Sequence, residues 1–141
     1  MMLRTGVDLV DIARLEDLNP AIRQRFLERV YTERELEEAA GRGENQWATL
    51  TGRFAAKEAV AKALGCGIGP VAWQEIEILR GEQGEPLLKL HGEAARVSQS
   101  QGIETWSVSI SHTRTQALAL AVAVGAIPSG SSHPHEDPGR Q

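Results

Sequence analysis

Residues 46–65, "QWATLTGRFAAKEAVAKALG", constrain this chain more than any other stretch. Trp47, Leu50, Phe54, Ala61 and Leu64 recur at helical spacing, and Gly65 is a natural C′ residue. The segment therefore reads as one long helix over 46–64. Most of its residues are small and apolar, as in a core helix, yet Arg53, Lys57, Glu58 and Lys62 are charged. Residues four apart on a helix are neighbours, so Phe54, Glu58 and Lys62 form one row, with Glu58 close to the apolar edge. A Glu58–Lys62 surface pair, worth about 0.2–0.5 kcal/mol, is the plain reading of that row. Arg53 and Lys57 form a second row, where like charges repel; a bound anion would explain it.

Two further features point toward phosphate. The helix runs into "GCGIG" (65–69), whose backbone amides could approach a phosphate closely. That spacing fits neither a P-loop nor a dinucleotide fingerprint. Upstream, "TGVDLVDI" (5–12) reads as a strand apolar on both faces and hence buried, with Asp8 on the side of Val10 and Ile12. A carboxylate there requires a cation or strong donors. Two carboxylates, Asp8 and Glu58, with cations around them suit Mg²⁺ holding a diphosphate, because Mg²⁺ takes one or two carboxylates plus phosphate oxygens.

The rest of the chain supplies the frame. Pro20 to Tyr31 reads as a helix, and Thr32 with Glu35 forms a capping box for a short acidic helix ending near Gly41. "WQEIEILR" (73–80) alternates as a half-buried strand, and Leu87 to Leu90 is a second short strand. Glu93 to Gln101 reads as a helix stopped by Gly102. "ETWSVSISH" (104–112) alternates strictly, its serines marking a face packed against other backbone; "TQALALAVAV" (115–124) is the last strand candidate, although its alanines would also suit a helix. Ser111 and His112 are adjacent on a strand and point to opposite faces, which argues against a nucleophile–base pair, and no G-x-S-x-G elbow exists. His112 is open between a phosphate donor and a satisfied edge histidine.

The 141 residues suit one domain over 1–127 followed by a polar, proline-rich tail over 128–141 that reads as disordered. His133 and His135 in that tail look like a metal fragment, but composition favours an ordinary polar tail over a site. The single cysteine, Cys66, excludes an internal disulfide framework. The longest apolar run is too short to span a bilayer, and no basic-then-apolar leader opens the sequence, so the expected compartment is the cytoplasm. Net charge is −4, with 15 Lys+Arg against 19 Asp+Glu, which argues against a general nucleic-acid binder. Against that background "PAIRQRFLERVY" (20–31) is a local cationic patch suited to an acidic partner or to plain solvation.

These pieces together resemble holo-[acyl-carrier-protein] synthase, the short bacterial family of 4′-phosphopantetheinyl transferases. The resemblance rests on "GVDLVDIARLE" (6–16), "GRFAAKEAVAKALGCGIG" (52–69), "GEPLLKLHGEA" (84–94) and "VSISHT" (108–113), and covers roughly residues 4–124. It implies an α+β fold, a small antiparallel sheet packed with helices, assembled as a homotrimer with active sites between subunits. It implies Mg²⁺-dependent transfer of phosphopantetheine from coenzyme A to a serine of acyl carrier protein, in the service of fatty acid biosynthesis. Asp8 and Glu58 match the magnesium ligands, given by different subunits, and Lys62 matches a lysine near the pyrophosphate. Arg53, His112 and Thr113 match residues near the 3′-phosphoadenosine end of coenzyme A, and Gly65 the stretch lining the nucleotide. Arg14 matches a contact to acyl carrier protein, with Arg23, Arg25 and Arg29 on the following helix as further basic contacts. Cys66 stands where the family usually has threonine, and Gln116 and Ala117 stand near a usual acidic–aromatic pair. A non-catalytic module binding coenzyme A or the carrier protein is the alternative; it would keep the cations and lose a carboxylate.

Overall fold

A computed structural model describes residues 1–126. The tail assigned to 128–141 lies outside the described residues. The observed fold is α+β, as expected. Strand β1 (Met2–Asp11) leads through a single helical turn, α1 (Ala13–Glu16), into α2 (Pro20–Val30) and α3 (Glu33–Ala40). The long helix α4 (Gln46–Leu64) has the bounds read from sequence, and Gly65 closes it in the left-handed region at φ 83°. Strands β2 (Ile76–Arg80) and β3 (Pro86–Leu90) form an antiparallel hairpin, followed by α5 (Gly92–Ser100), β4 (Ile103–His112) and β5 (Gln116–Gly125). The main sheet is antiparallel in the order β1-β5-β4, and Asp8 lies opposite Ala119.

Helix α4 lies across β1 and β5. The sequence permits this because the inward positions of β5 are Ala117, Ala119, Ala121 and Ala123, all fully buried. Small residues on both partners bring helix and sheet backbones close together. The closest approach is at Gly6, where a Cβ would overlap the Ala59 carbonyl of α4.

The opposite face of the sheet corrects an expectation. β1 is buried on one face only: Leu3, Val7 and Leu9 are 63%, 52% and 57% exposed, beside Leu118 and Leu120 of β5. Ser107, Ser109 and Ser111 are exposed as well, rather than packed against backbone. The alternation was read correctly, but among the described residues no second layer covers that face. β2 departs in the other sense. Residues 73–75 form a 3₁₀ turn, and Ile76, Glu77, Ile78 and Leu79 are all buried. The polar member is tolerated because the Thr32 hydroxyl donates to Glu77 Oε2 at 2.6 Å and His91 Nε2 lies 2.9 Å from Oε1.

The charges of α4 that face inward are also satisfied within the chain. Lys57 and Glu35 are both fully buried, Nζ to Oε1 2.9 Å. Lys57 also donates to the carbonyls of Trp73 and Ile76, at 3.0 and 2.7 Å, so all three of its protons are used. Glu35 accepts from Thr32 N in the expected capping box and from Ile78 N at 2.7 Å. Burial pushes the Lys57 ammonium pKa down, and the charge of Glu35 opposes that shift. Arg53 pairs with Glu38 at 2.8 Å. The Arg53–Lys57 repulsion is therefore answered by two carboxylates of α3, and the anion invoked for it is not needed. Removing one partner of a buried pair strands the other charge, so Lys57→Met is expected to cost about 3–5 kcal/mol in a urea unfolding measurement. A loss below about 1 kcal/mol would show that the pair is not the anchor of α4.

Candidate active site

The first side of the site lies where β1 and α4 meet. Gly6 removes the side chain that would separate the two backbones, so Asp8, two residues on, faces the last turns of α4. Lys62 donates to Asp8 Oδ1 at 3.1 Å and to the Val7 carbonyl at 2.9 Å. It pairs with Asp8 rather than with Glu58 as the helix row implied. Glu58 stands one turn back on the same flank. Its carboxyl pKa is raised by burial first and by the field of Asp8 second, with Lys62 and Arg14 acting in the opposite direction. The two carboxylates thus feel each other inside one chain. This corrects the expectation that Asp8 and Glu58 come from different subunits.

Two facing carboxylates with incomplete local compensation are a suitable donor set for a hard divalent cation whose other ligands are phosphate oxygens and water. Among the described residues no cluster of three or more metal-ligating side chains occurs. Two carboxylates are enough for Mg²⁺ that shares its coordination with substrate phosphates.

The second side lies on the other flank of α4. From Arg53 to Lys62 the helix turns through about two and a half turns, so the two side chains point in roughly opposite directions. Arg53 and His112 line a cavity of about 170 Å³, together with Thr49, Arg42, Arg80 and Glu85. Thr113 is not part of it. Its hydroxyl accepts from Thr115 N and Gln116 N and closes the β4–β5 turn. Gly65 ends α4 beside Arg4, which donates to the Ala63 carbonyl at 3.2 Å. Cys66 is half-buried against the core.

A third feature joins the first side. An apolar groove of about 210 Å³ runs between α1, α2 and α4, lined by Val10, Leu18, Ile22, Phe26 and Phe54, with Arg14 at its edge. The Arg14 guanidinium lies 6.0 Å from the Phe54 ring centroid. Arg23 is more committed. It stacks 4.5 Å over Trp47 and donates to the Glu16 carbonyl at 2.7 Å. Arg25 and Arg29 are exposed on α2. The groove was not read from the sequence; the i, i+4 pair Ile22 and Phe26 on α2 was the available signal.

The comparisons bear directly on this constellation. The family model described as the 4′-phosphopantetheinyl transferase superfamily matches residues 4–123, which contain Asp8, Glu58, Lys62, Arg53 and His112. The chain belongs to the 4′-phosphopantetheinyl transferase superfamily. A curated holo-[acyl-carrier-protein] synthase from Carboxydothermus hydrogenoformans is 45% identical over 111 residues, 79% of this chain and 89% of that protein. Another from Herpetosiphon aurantiacus is 44% identical, over 79% of this chain and 91% of that protein. Among solved structures, the holo-[acyl-carrier-protein] synthase of Neisseria meningitidis superposes with a TM-score of 0.78 at 36% identity, covering 86% of this chain and 97% of that one. The Helicobacter pylori enzyme in complex with coenzyme A superposes at 0.71 with 31% identity, covering 85% and 99%. The phosphopantetheinyl transferase family, its fold and its enzyme class thus agree with the sequence reading.

The electrostatics of the carboxylate side give a prediction. Asp8→Asn removes a negative neighbour of Glu58. The Glu58 carboxyl pKa is then expected to fall toward its ordinary value, although burial still holds it up. Carbon-13 titration of Glu58 in metal-free protein measures this, and an unchanged or higher value would separate the two carboxylates.

Proposed function

We propose that the chain transfers 4′-phosphopantetheine from coenzyme A to a serine of apo-acyl carrier protein, releasing 3′,5′-ADP, in the cytoplasm and for fatty acid biosynthesis. The observation that carries this reading is the convergence of Asp8, Glu58 and Lys62 at one edge of α4, inside the family-matched region. The serine oxygen of the carrier protein attacks the pantetheine-side phosphorus of the pyrophosphate. The bond from that phosphorus to the bridging oxygen breaks, and 3′,5′-ADP leaves with the electron pair. Glu58, directly or through a metal-bound water, takes the serine proton. Asp8 and Glu58 would hold Mg²⁺, which when bound supplies Lewis-acid stabilisation of the pyrophosphate. Lys62, drawn in by Asp8 and the Val7 carbonyl, stands ready to neutralise charge developing on the phosphates. The remaining acceleration comes from holding the two substrates in line.

Arg53 and His112 serve the 3′-phosphoadenosine end. Because they sit on the opposite flank of α4 from Glu58 and Lys62, one extended coenzyme A is best accommodated between two copies of the chain. The exposed leucines of β1 and β5 supply apolar surface for such an assembly, which the reading takes to be a homotrimer. The apolar groove edged by Arg14, with Arg23 and Arg25 beyond it, suits an acidic helix presenting one apolar side chain. A non-catalytic binding module would have no use for both carboxylates.

Mass spectrometry of apo-carrier protein after incubation with coenzyme A and Mg²⁺ tests the reaction. A gain of one phosphopantetheine is expected; hydrolysis of coenzyme A without that gain refutes transfer. Asp8→Ala and Glu58→Ala are each expected to lower transfer by at least about a hundredfold with the thermal melt retained. Near-wild-type rates at saturating Mg²⁺ would sink the ligand assignment. Replacing Arg14, Arg23 and Arg25 together with Glu is expected to raise KM for the carrier protein by about tenfold or more and leave KM for coenzyme A nearly unchanged. Arg25→Glu alone isolates the electrostatic part, since Arg23 also braces α1 against Trp47. An unchanged carrier-protein KM in the triple variant refutes docking there.

A further inference from the structure

Glu58 and Lys62 stand on one flank of α4, so the rotation of that helix about its own axis decides where both groups lie. A side-chain tip about 6 Å from the axis moves by about 2 Å when the helix turns through about 20°. The sheet does little to set this angle. Ala59 and Ala63 of α4 lie against Gly6 of β1, and the inward residues of β5 are alanines. Side chains of one carbon allow close approach but offer few ridges to lock into grooves.

The other side of the helix supplies the lock. Glu35 of α3 is completely buried. Its carboxylate accepts from the main-chain N–H of Thr32 at 2.8 Å and from that of Ile78 at 2.7 Å, so it is tied at once to α3 and to β2. The Thr32 hydroxyl accepts from Glu35 N at 3.2 Å and donates to Glu77 Oε2 at 2.6 Å. Glu77 Oε1 in turn lies 2.9 Å from Nε2 of His91, the residue that precedes α5. Every group around the carboxylate is thus held by another, and Glu35 is the fixed partner when it takes Lys57 Nζ at 2.9 Å. The carbonyls of Trp73 and Ile76 complete the socket for that ammonium.

We infer that Glu35 is a positioning residue for the transfer reaction: through Lys57 it fixes the rotation of α4, and with it the placement of Glu58 and Lys62 against Asp8 and the substrate phosphates. This rests on the transfer reading above. A misplacement of about 1 Å at reacting groups can cost about a hundredfold in rate, so a carboxylate on a neighbouring helix controls turnover without touching the substrate. A pair that only stabilised the fold could be exchanged for apolar residues at little cost. A pair that positions the helix cannot, because apolar contacts do not reproduce three directed hydrogen bonds.

The test is the full chain with Glu35→Leu and Lys57→Met together, which leaves neither charge stranded. Circular dichroism gives the folded fraction, and rates are measured well below the melting temperature. Transfer to carrier protein is expected to lose at least about tenfold in kcat, while KM for the carrier protein, read at α1 and α2, stays within about threefold of the wild type. Electron paramagnetic resonance of Mn²⁺ in the presence of coenzyme A gives a second readout, and Mn²⁺ is expected to bind about tenfold more weakly to the double variant. A folded double variant with kcat and Mn²⁺ affinity within about twofold of the wild type overturns the inference, as does a carrier-protein KM that worsens as much as kcat falls. Should the double variant not fold, Glu35→Gln keeps the side-chain shape but weakens the hold on Lys57. It is expected to show the same pattern at about threefold or more, and the same readings overturn the inference. A wild type that adds no mass to carrier protein refutes the transfer reading instead. The Mn²⁺ affinities would then still decide whether Glu35 sets the placement of the two carboxylates.

Discussion

The buried pair of Lys57 and Glu35 is the interaction on which the rest of the molecule turns. Desolvating two charges is costly, and a hydrophobic pair of similar volume could serve stability as well. What the pair contributes is orientation. Lys57 has three protons and three acceptors, drawn from α3 and from the 73–76 segment, and Glu35 ties the same point to β2. Only one rotation of α4 about its own axis satisfies all of them. That rotation turns Glu58 and Lys62 toward β1 and Arg53 toward the β2–β3 hairpin. An apolar contact would tolerate slippage by tens of degrees; this set of hydrogen bonds does not.

The helix consequently divides two chemistries. Toward β1 the field is shaped by carboxylates and one lysine. Toward the hairpin it is shaped by arginines and a histidine. Alanines in β5 let α4 approach the sheet so closely that both flanks remain open to solvent beside it. Bulky residues there would lift the helix and widen the gap between Asp8 and Glu58.

Much of this was legible in sequence where the determinants are local. The limits of α4, its glycine cap and the Thr32–Glu35 capping box each depend on residues a few positions apart. Asp8 and Glu58 were legible as a carboxylate pair from the residues, the role of Lys62 came from the resemblance, and the structure brings those three together. The failures share a cause. Glu35 was read only as a capping residue, because Lys57 and Ile78, its other partners, lie 22 and 43 positions away in sequence. Arg53 and Lys57 looked mutually repelling for the same reason. Alternation in β1 showed two apolar faces correctly, but alternation cannot tell a face covered by its own chain from one left open. The assignment of Asp8 and Glu58 to different subunits failed because the closeness of β1 to α4 depends on Gly6, whose role appears only once Ala59 is placed opposite it.

That glycine limits how the sequence could change. Most steric conflicts in a core can be relieved by trimming a neighbouring side chain. At Gly6 the obstructing atom is the Ala59 carbonyl oxygen, which every amino acid possesses. No second-site exchange of side chains can make room for a methyl group there. Relief would require moving the whole helix, and with it both carboxylates. The position is therefore closed to stepwise compensation: a variant that fills it has no single suppressor elsewhere on α4, and the spacing of the two acids is inherited with the glycine.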